Sequence, residues 1–274
     1  MKQIAFIGTG VMGSALLRAA CKSVDPSEII IYDRSLERTK ELTEELGCCA
    51  AASSQEAVKS AHYIMFGVHP HHMNGVVGEL IPTFNEEISN GHRHIVCSMA
   101  AGFAIADINK LFAGGGINNM PAIRIMPNIP LKISKGVIIF SNNEYASDKE
   151  TEGLMNILKA GGLMKHLTER EMNAATPVFS CSPAYVYMFI EAMADAGSEI
   201  GLTRDVSIEL AAMATFGSAA MVLETGKHVA ALRDELSTPG GMTITSTNIM
   251  EEAGFRGALI KGVLAAYKRS LDMI

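Results

Sequence analysis

The sequence predicts a Rossmann-type α/β domain with a doubly wound, mostly parallel sheet, followed by an all-α helical dimerisation domain. Three observations carry this expectation. Short apolar runs alternate with helical patterns up to about residue 168. A glycine-rich turn, Gly8-Thr9-Gly10-Val11-Met12-Gly13, separates the first run from the first helix. From about residue 169 the pattern is helical almost throughout and rich in Ala and Met. Continuous apolar strands joined by helices imply a sheet covered on both faces. The boundary is placed at 165/166, so the α/β domain takes residues 1–165 and the helical domain residues 166–274.

Taken in order, residues 3–7 form the first strand and 11–22 the first helix. Residues 28–32 form the second strand and 35–46 a charged surface helix. Strands follow at 62–68 and 93–97, with further apolar runs at 122–126 and 136–140. Gly114-Gly115-Gly116 reads as a loop. In the second half, helical segments span 170–200, 204–225 and 248–272, broken at Gly201, Gly226 and Thr238-Pro239-Gly240-Gly241. The chain has no internal repeat. Segments 184–200, 208–223 and 258–266 are apolar around much of their circumference, with Met188, Met193, Met213 and Met221 among them. A helical domain of about 110 residues cannot cover such faces alone, so they predict self-association, most simply as a two-fold homodimer.

The composition narrows the classes of function. Hydrophobic residues make up 48% of the 274 and charged residues 19%, an ordered globular balance. The net charge is −6, without a run of Lys or Arg, which argues against nucleic acid as a partner. The five cysteines show no CxxC spacing and read as reduced thiols of a cytoplasmic protein. The apolar run after Met1 is too short for a signal-peptide core. The longest apolar stretch, near 177–190, is interrupted by Ser and Pro and is too short for a membrane span, so no membrane association is expected.

The Gly8–Gly13 turn follows a strand, opens a helix, and precedes an acidic strand end at Asp33, which is the context of a dinucleotide site. The first glycine permits the tight turn, the second admits a pyrophosphate to the backbone, and the third packs helix on strand. The helix N-terminus then offers N–H groups and a positive dipole end to the phosphates. Asp33-Arg34-Ser35 leaves two cofactors open. A carboxylate here holds the ribose diol of NADH, whereas Arg34 and Ser35 grip the 2′-phosphate of NADPH, the favoured reading. Val68, His69 and Pro70 follow a strand end beside the crevice, and residues 67–72 are expected to line its nicotinamide side. Three histidines in four residues suggest a metal, but no matching acid or Cys cluster accompanies them, so no metal is expected. Ala100 and Ala101, after the next strand, let the cofactor lie against backbone.

Ser237-Thr238-Pro239-Gly240-Gly241 is a loop ahead of a helix. Pro239 fixes one φ angle and the two glycines free the next two. Such a loop aims several N–H groups at one carboxylate, while Thr238 and Thr243 add hydroxyls. Three segments together, Arg124–Asn128, Ser182–Gly197 and Leu232–Ile244 continuing to Arg256, resemble the pyrroline-5-carboxylate reductases nearly end to end. The resemblance implies reduction of 1-pyrroline-5-carboxylate to L-proline by NAD(P)H. It places Thr243 near the ring nitrogen as the catalytic contact, and Thr238, Gly240, Gly241, Met242 and Thr243 around the substrate carboxylate. It assigns Gly8 to Gly13, Asp33 to Ser35, Val68 to Pro70, Ala100, Ala101 and Asn128 to the cofactor. It further implies intertwined dimers, assembled into rings, in which the Pro239–Gly241 loop of one subunit faces the nicotinamide of its partner. The chain departs from the pattern at Val11, His69, Ile129 and Ser180, where the family has Asn, Lys, Thr and Gly. The alternative is therefore a weakly active or non-catalytic NADP-binding paralogue with a regulatory role. A 3-hydroxyacid dehydrogenase of the same build would need a Lys where this chain has Val186, because carbonyl reduction needs a proton donor.

Overall fold

The computed structural model describes residues 1–272. It forms two compact units, Met1–Ser180 together with 270–272 from the end of the chain, and Cys181–Arg269.

In the first unit, mostly apolar runs form the strands β1 (Lys2–Ile7), β2 (Ile29–Tyr32), β3 (Cys49–Ala50), β4 (Ala61–Phe66), β5 (Ile95–Ser98), β6 (Ala122–Pro127), β7 (Gly136–Asn142) and β8 (Gly162–His166). They make one sheet in the order β3-β2-β1-β4-β5-β6-β7-β8. Every neighbouring pair is parallel except β6 and β7, which pair antiparallel through Ile125↔Phe140. The first six strands are joined by the helices α1 (Val11–Ser23), α2 (Leu36–Leu46), α3 (Ser54–Ser60), α4 (Pro70–Ser89) and α5 (Ile105–Gly114). Helix α6 (Asp148–Leu158) precedes β8, and α7 (Glu169–Phe179) follows it.

Alternation along each strand separates two cores. Ile4 and Phe6 of β1 face a cluster with Leu16 and Leu17 of α1 and Leu154 of α6. Ala5 and Ile7 face the opposite layer, with Val77, Leu80 and Phe84 of α4 and Phe112 of α5. The doubly wound, mostly parallel sheet is as expected, but the short β3 and the edge strand β8 were not. Cys49–Ala50 is too short to give a periodic signal, and Gly162–His166, at the sheet margin, has only Leu163 and Met164 as apolar side chains before Lys165 and His166. Gly114, assigned to a loop from sequence, closes α5, and the turn begins at Gly115.

The first unit extends to Ser180, beyond the boundary expected at residue 165. The reason is α7: Met172 and Phe179 pack on Ile139 of β7. Arg124 of β6 is buried and pairs with Glu169, the first residue of α7, at 2.9 Å. The helix expected over 170–200 is therefore two helices, divided at Ser180-Cys181.

The second unit comprises α8 (Ser182–Glu199), α9 (Arg204–Thr225), α10 (Val229–Glu235), α11 (Met242–Glu252) and α12 (Phe255–Leu271). The segment expected as one helix over 248–272 is likewise broken, at Ala253-Gly254, where Gly254 has a φ of 80°. Among the described residues of this unit, only Ala194, Gly197, Ser207 and Ala211 are buried. They hold α8 to α9, where Gly197 lies so close to Ser207 that a methyl group would not fit. Most of the large apolar side chains remain exposed, including Met188, Ile200, Met213, Leu223 and Leu264. The stretch near 177–190, read from sequence as the longest apolar one, is divided between α7 and α8, whereas α9 is both long and apolar. By length and composition alone, it is the one described helix that could cross a membrane.

Candidate functional site

The glycine turn between β1 and α1 has the geometry that its spacing predicts. Gly8 leaves β1 with a φ of 91°, a conformation that side chains oppose. Its N–H donates to the Tyr32 carbonyl at 2.9 Å. Gly13 and Gly67 crowd the Gly8 carbonyl: a Cβ on Gly13 would lie 2.5 Å from its oxygen, and one on Gly67 closer still. These three glycines let β1, α1 and the end of β4 meet backbone to backbone. Gly10 is different. A Cβ there would meet nothing within 4 Å, so no packing within the chain calls for a glycine. Gly10 caps α1 without a side-chain hydrogen bond, and the N–H groups of Val11, Met12 and Gly13 therefore open the helix without intrahelical acceptors. The open space over Gly10, beside these donors, fits a pyrophosphate.

Asp33 sits at the end of β2 but is turned inward. Its Oδ2 accepts from the Thr9 backbone N–H at 2.7 Å and from the Thr9 hydroxyl at 3.0 Å, and its Oδ1 accepts from the Ser35 N–H at 3.0 Å. Burial alone would raise its pKa, but these hydrogen bonds and the charge of Arg38 outweigh it and hold the carboxyl below the ordinary range. Asp33 therefore tethers the glycine turn to β2. Thr9, expected as a cofactor contact, is buried, with its hydroxyl and N–H both engaged by that tether. Arg34 is exposed, and the Ser35 hydroxyl caps α2 by accepting from the Arg38 N–H at 3.3 Å.

His69 caps α4, and Pro70 begins it. The adjoining His72 lies within the electrostatic reach of Arg34. This brings His72 toward the Asp33–Ser35 segment at the end of β2, whereas residues 67–72 were expected to line the nicotinamide side. Among the described residues, no group of three or more His, Cys, Asp or Glu side chains is arranged to hold a metal. After β5, the buried Ser98 hydroxyl accepts from the Ala100 N–H at 3.2 Å, which folds the Ala100-Ala101 turn over the strand end.

Asn128 has another task than the expected cofactor contact. It is buried, its Nδ2 donates to the Phe179 carbonyl at 2.8 Å, and its Oδ1 accepts from the Val137 N–H at 2.8 Å. It joins β6, β7 and the end of α7. Sequence reasoning placed it beside the ligand because it follows a strand end, a position where framework residues also collect.

In the helical unit, the loop before α11 is held by a turn in which the Gly241 N–H donates to the Thr238 carbonyl at 3.0 Å. Gly240 has a φ of 70°, and a methyl group on Gly241 would collide with the Thr238 hydroxyl oxygen. Gly241 caps α11 without a side-chain hydrogen bond, so the N–H groups of Met242, Thr243 and Ile244 are free of intrahelical acceptors. Among the described residues, the hydroxyls of Thr238 and Thr243 have no partner, although the Thr243 carbonyl accepts from Thr247 and Ser246. Met242 is 91% exposed, and Thr243 half-buried. The turn thus gathers N–H groups and two hydroxyls without any acid or base.

Comparison with known proteins finds matches for both halves of the chain. The family model for pyrroline-5-carboxylate reductase dimerisation matches residues 169–273. A model described as NADP oxidoreductase, coenzyme F420-dependent, matches residues 3–102. The pyrroline-5-carboxylate reductase of Escherichia coli is 35% identical, with 98% of this chain and 97% of that protein aligned. This chain belongs to the pyrroline-5-carboxylate reductase family. The solved reductase of Coxiella burnetii superimposes with a TM-score of 0.90 at 26% identity, covering 99% of this chain and 98% of that one. The reductase of Plasmodium falciparum, solved with NADP bound, gives a TM-score of 0.83 at 25% identity, with 99% and 98% covered. The match over residues 169–273 accounts for the helical unit's exposed apolar faces, α9 included, as surfaces for self-association.

Proposed function

We propose that this chain reduces 1-pyrroline-5-carboxylate to L-proline as a soluble cytoplasmic enzyme, with NADPH as the preferred donor and NADH as a possible one. The observation that carries the reading is the uncapped start of α11, where free N–H groups and the unpartnered Thr238 and Thr243 hydroxyls converge. A planar, anionic imino acid needs such a neutral donor set. The Gly10 clearing and the free first turn of α1 would hold the cofactor's pyrophosphate, and Ala100-Ala101 would flank its far half. When bound, the nicotinamide supplies the hydride that adds to the imine carbon, C2 of the pyrroline ring, which becomes C5 of proline.

The chain's own part is positioning. The N–H groups of Met242 and Thr243, with the Thr238 hydroxyl, orient the substrate carboxylate, and Gly240 and Gly241 keep side chains out of its way. The Thr243 hydroxyl accepts from the protonated ring nitrogen and fixes the face of the imine that is presented. The ring nitrogen can take its proton from water before binding, so no acid–base pair is required. Orientation of this kind contributes up to several kcal/mol.

The deciding experiment follows NADPH consumption with pyrroline-5-carboxylate and identifies L-proline as product. Folded protein that oxidises neither NADPH nor NADH above the no-enzyme rate overturns the reading. A second reading, a non-catalytic NADP-binding paralogue, is favoured by the exposed apolar side chains of Val11 and Ile129, where the family has hydrogen-bonding groups. Dinucleotide binding without turnover would establish it.

A further inference from the structure

One cluster beside the dinucleotide crevice has no role in the reading above. The first turn of α4 carries His71 and His72 directly after the capping His69. The rings of His69 and His71 stack with centroids 5.5 Å apart, and those of His71 and His72 lie 4.0 Å apart at 52°. The charged and titratable groups that act on His72 are His71 and His69 of its own turn and Arg34 from the loop after β2; no carboxylate is among them. Partial burial, then the charges of His71, Arg34 and His69, hold the His72 pKa below the ordinary imidazole value.

Three basic neighbours without an acid disfavour the protonated form of His72, and no carboxylate among the groups acting on it compensates. A bound anion would turn that repulsion into attraction. The place identifies the anion. Arg34 and Ser35 follow Asp33 at the end of β2, the position that meets the adenosine ribose in dinucleotide-binding folds. Asp33 is engaged by Thr9 and Ser35, which leaves the ribose to the basic side chains. Of the two nicotinamide dinucleotides, only NADPH carries a dianionic group on that ribose.

We propose that His72, supported by His71, contacts the 2′-phosphate opposite Arg34 and is a specificity-determining residue for the phosphorylated cofactor. The proposal rests on the dinucleotide reading above. It has a consequence that an arginine alone would not produce. The 2′-phosphate has a second pKa of about 6, so above that pH it is mostly dianionic. His72 is neutral there in the free protein and takes up a proton as the phosphate binds. NADPH affinity therefore falls as pH rises from about 6.5 to about 8, where the imidazole no longer holds that proton. NADH affinity lacks this slope.

Calorimetric titration of the wild type and of the His72→Gln and His72→Arg variants with NADPH and NADH, at both pH values, tests this. In the wild type, NADPH affinity should fall about three- to tenfold over the range, while NADH affinity stays level. His72→Gln should lose a similar factor for NADPH at the lower pH, flatten the slope, and bind NADH as before. That unchanged NADH binding also reports an intact fold. His72→Arg should keep the NADPH preference at both pH values. Equal losses for the two cofactors in His72→Gln, or an NADPH preference in the wild type that does not vary with pH, would overturn the histidine's role and leave the dinucleotide site standing. A wild type that binds neither cofactor would overturn both.

Discussion

At the residue scale, two side chains carry most of the proposed specificity. The Thr243 hydroxyl has no partner within the described chain, so its removal leaves no orphaned group behind and should not disturb the fold. Thr243→Ala is expected to lower kcat/KM for pyrroline-5-carboxylate about ten- to hundredfold, corresponding to about 1–3 kcal/mol for one positioned hydrogen bond. The dissociation constant for NADPH, measured without substrate, should stay unchanged; steady-state kinetics equal to wild type would remove Thr243 from the site. Arg34 is exposed and bonds nothing that the fold needs. Arg34→Ala should therefore weaken NADPH more than NADH in equilibrium binding, because only NADPH presents a phosphate to a guanidinium. Equal weakening would make Arg34 an ordinary surface charge. Asn128 and Thr9 teach the opposite lesson. Both stand where a motif places a ligand contact, and both are bonded to their own framework. Sequence spacing locates a crevice well, but which way a side chain turns depends on partners far along the chain, here Phe179 for Asn128 and Asp33 for Thr9.

At the element scale, the glycines of the first turn divide into two kinds, and the division is testable. A Cβ on Gly13 would lie 2.5 Å from the Gly8 carbonyl oxygen, whereas one on Gly10 would face open space. Gly13→Ala must push α1 away from β1, so a lowered melting temperature is expected before any effect on ligand. Gly10→Ala should melt like wild type yet bind NADPH at least tenfold more weakly, because the methyl group occupies the space proposed for the pyrophosphate. A Gly10→Ala protein with full affinity would place the phosphates elsewhere. The motif's spacing assigns these separate roles to the second and third glycines, and the backbone that Gly13 meets is the Gly8 carbonyl of the same turn. Elsewhere legibility varied. The strands β1, β2, β4 and β5 were readable because parallel strands buried on both faces are continuously apolar. Strand β8 was not, because an edge strand needs no such pattern. The end of the α/β unit was misplaced because α7 reads as a helix whichever unit it packs on, and only Met172, Phe179 and the buried Arg124–Glu169 pair attach it to the sheet.

At the scale of the whole molecule, the helical unit determines what the protein must be. Ala194, Gly197, Ser207 and Ala211 form a seam between two helices, and four small residues bury far too little apolar surface to hold five helices together. The exposed faces of α8, α9, α11 and α12 must be covered, and the match of residues 169–273 to a dimerisation domain states by what: another copy of the chain. Folding of this unit and association are then one event, and dilution should lower both the oligomer fraction and the melting temperature. The same logic gives a test of where the two halves of the site meet. In the arrangement that the family resemblance implies, the Pro239–Gly241 loop of one subunit would serve the cofactor of its partner, and each dimer would have two composite sites. Gly10→Asp subunits cannot accept a pyrophosphate, and Thr243→Ala subunits cannot position the imine. A mixed dimer nevertheless contains one site built from the intact half of each. Co-refolding the two inactive variants should therefore restore activity, up to about one quarter of the wild-type value: random pairing makes half the dimers mixed, and each of these has one working site of two. Activity that stays at the level of the separate variants, although mass measurement shows mixed dimers, would mean that each subunit completes its own site. Light scattering that shows an active monomer at assay concentration would overturn the shared site and the dimer together.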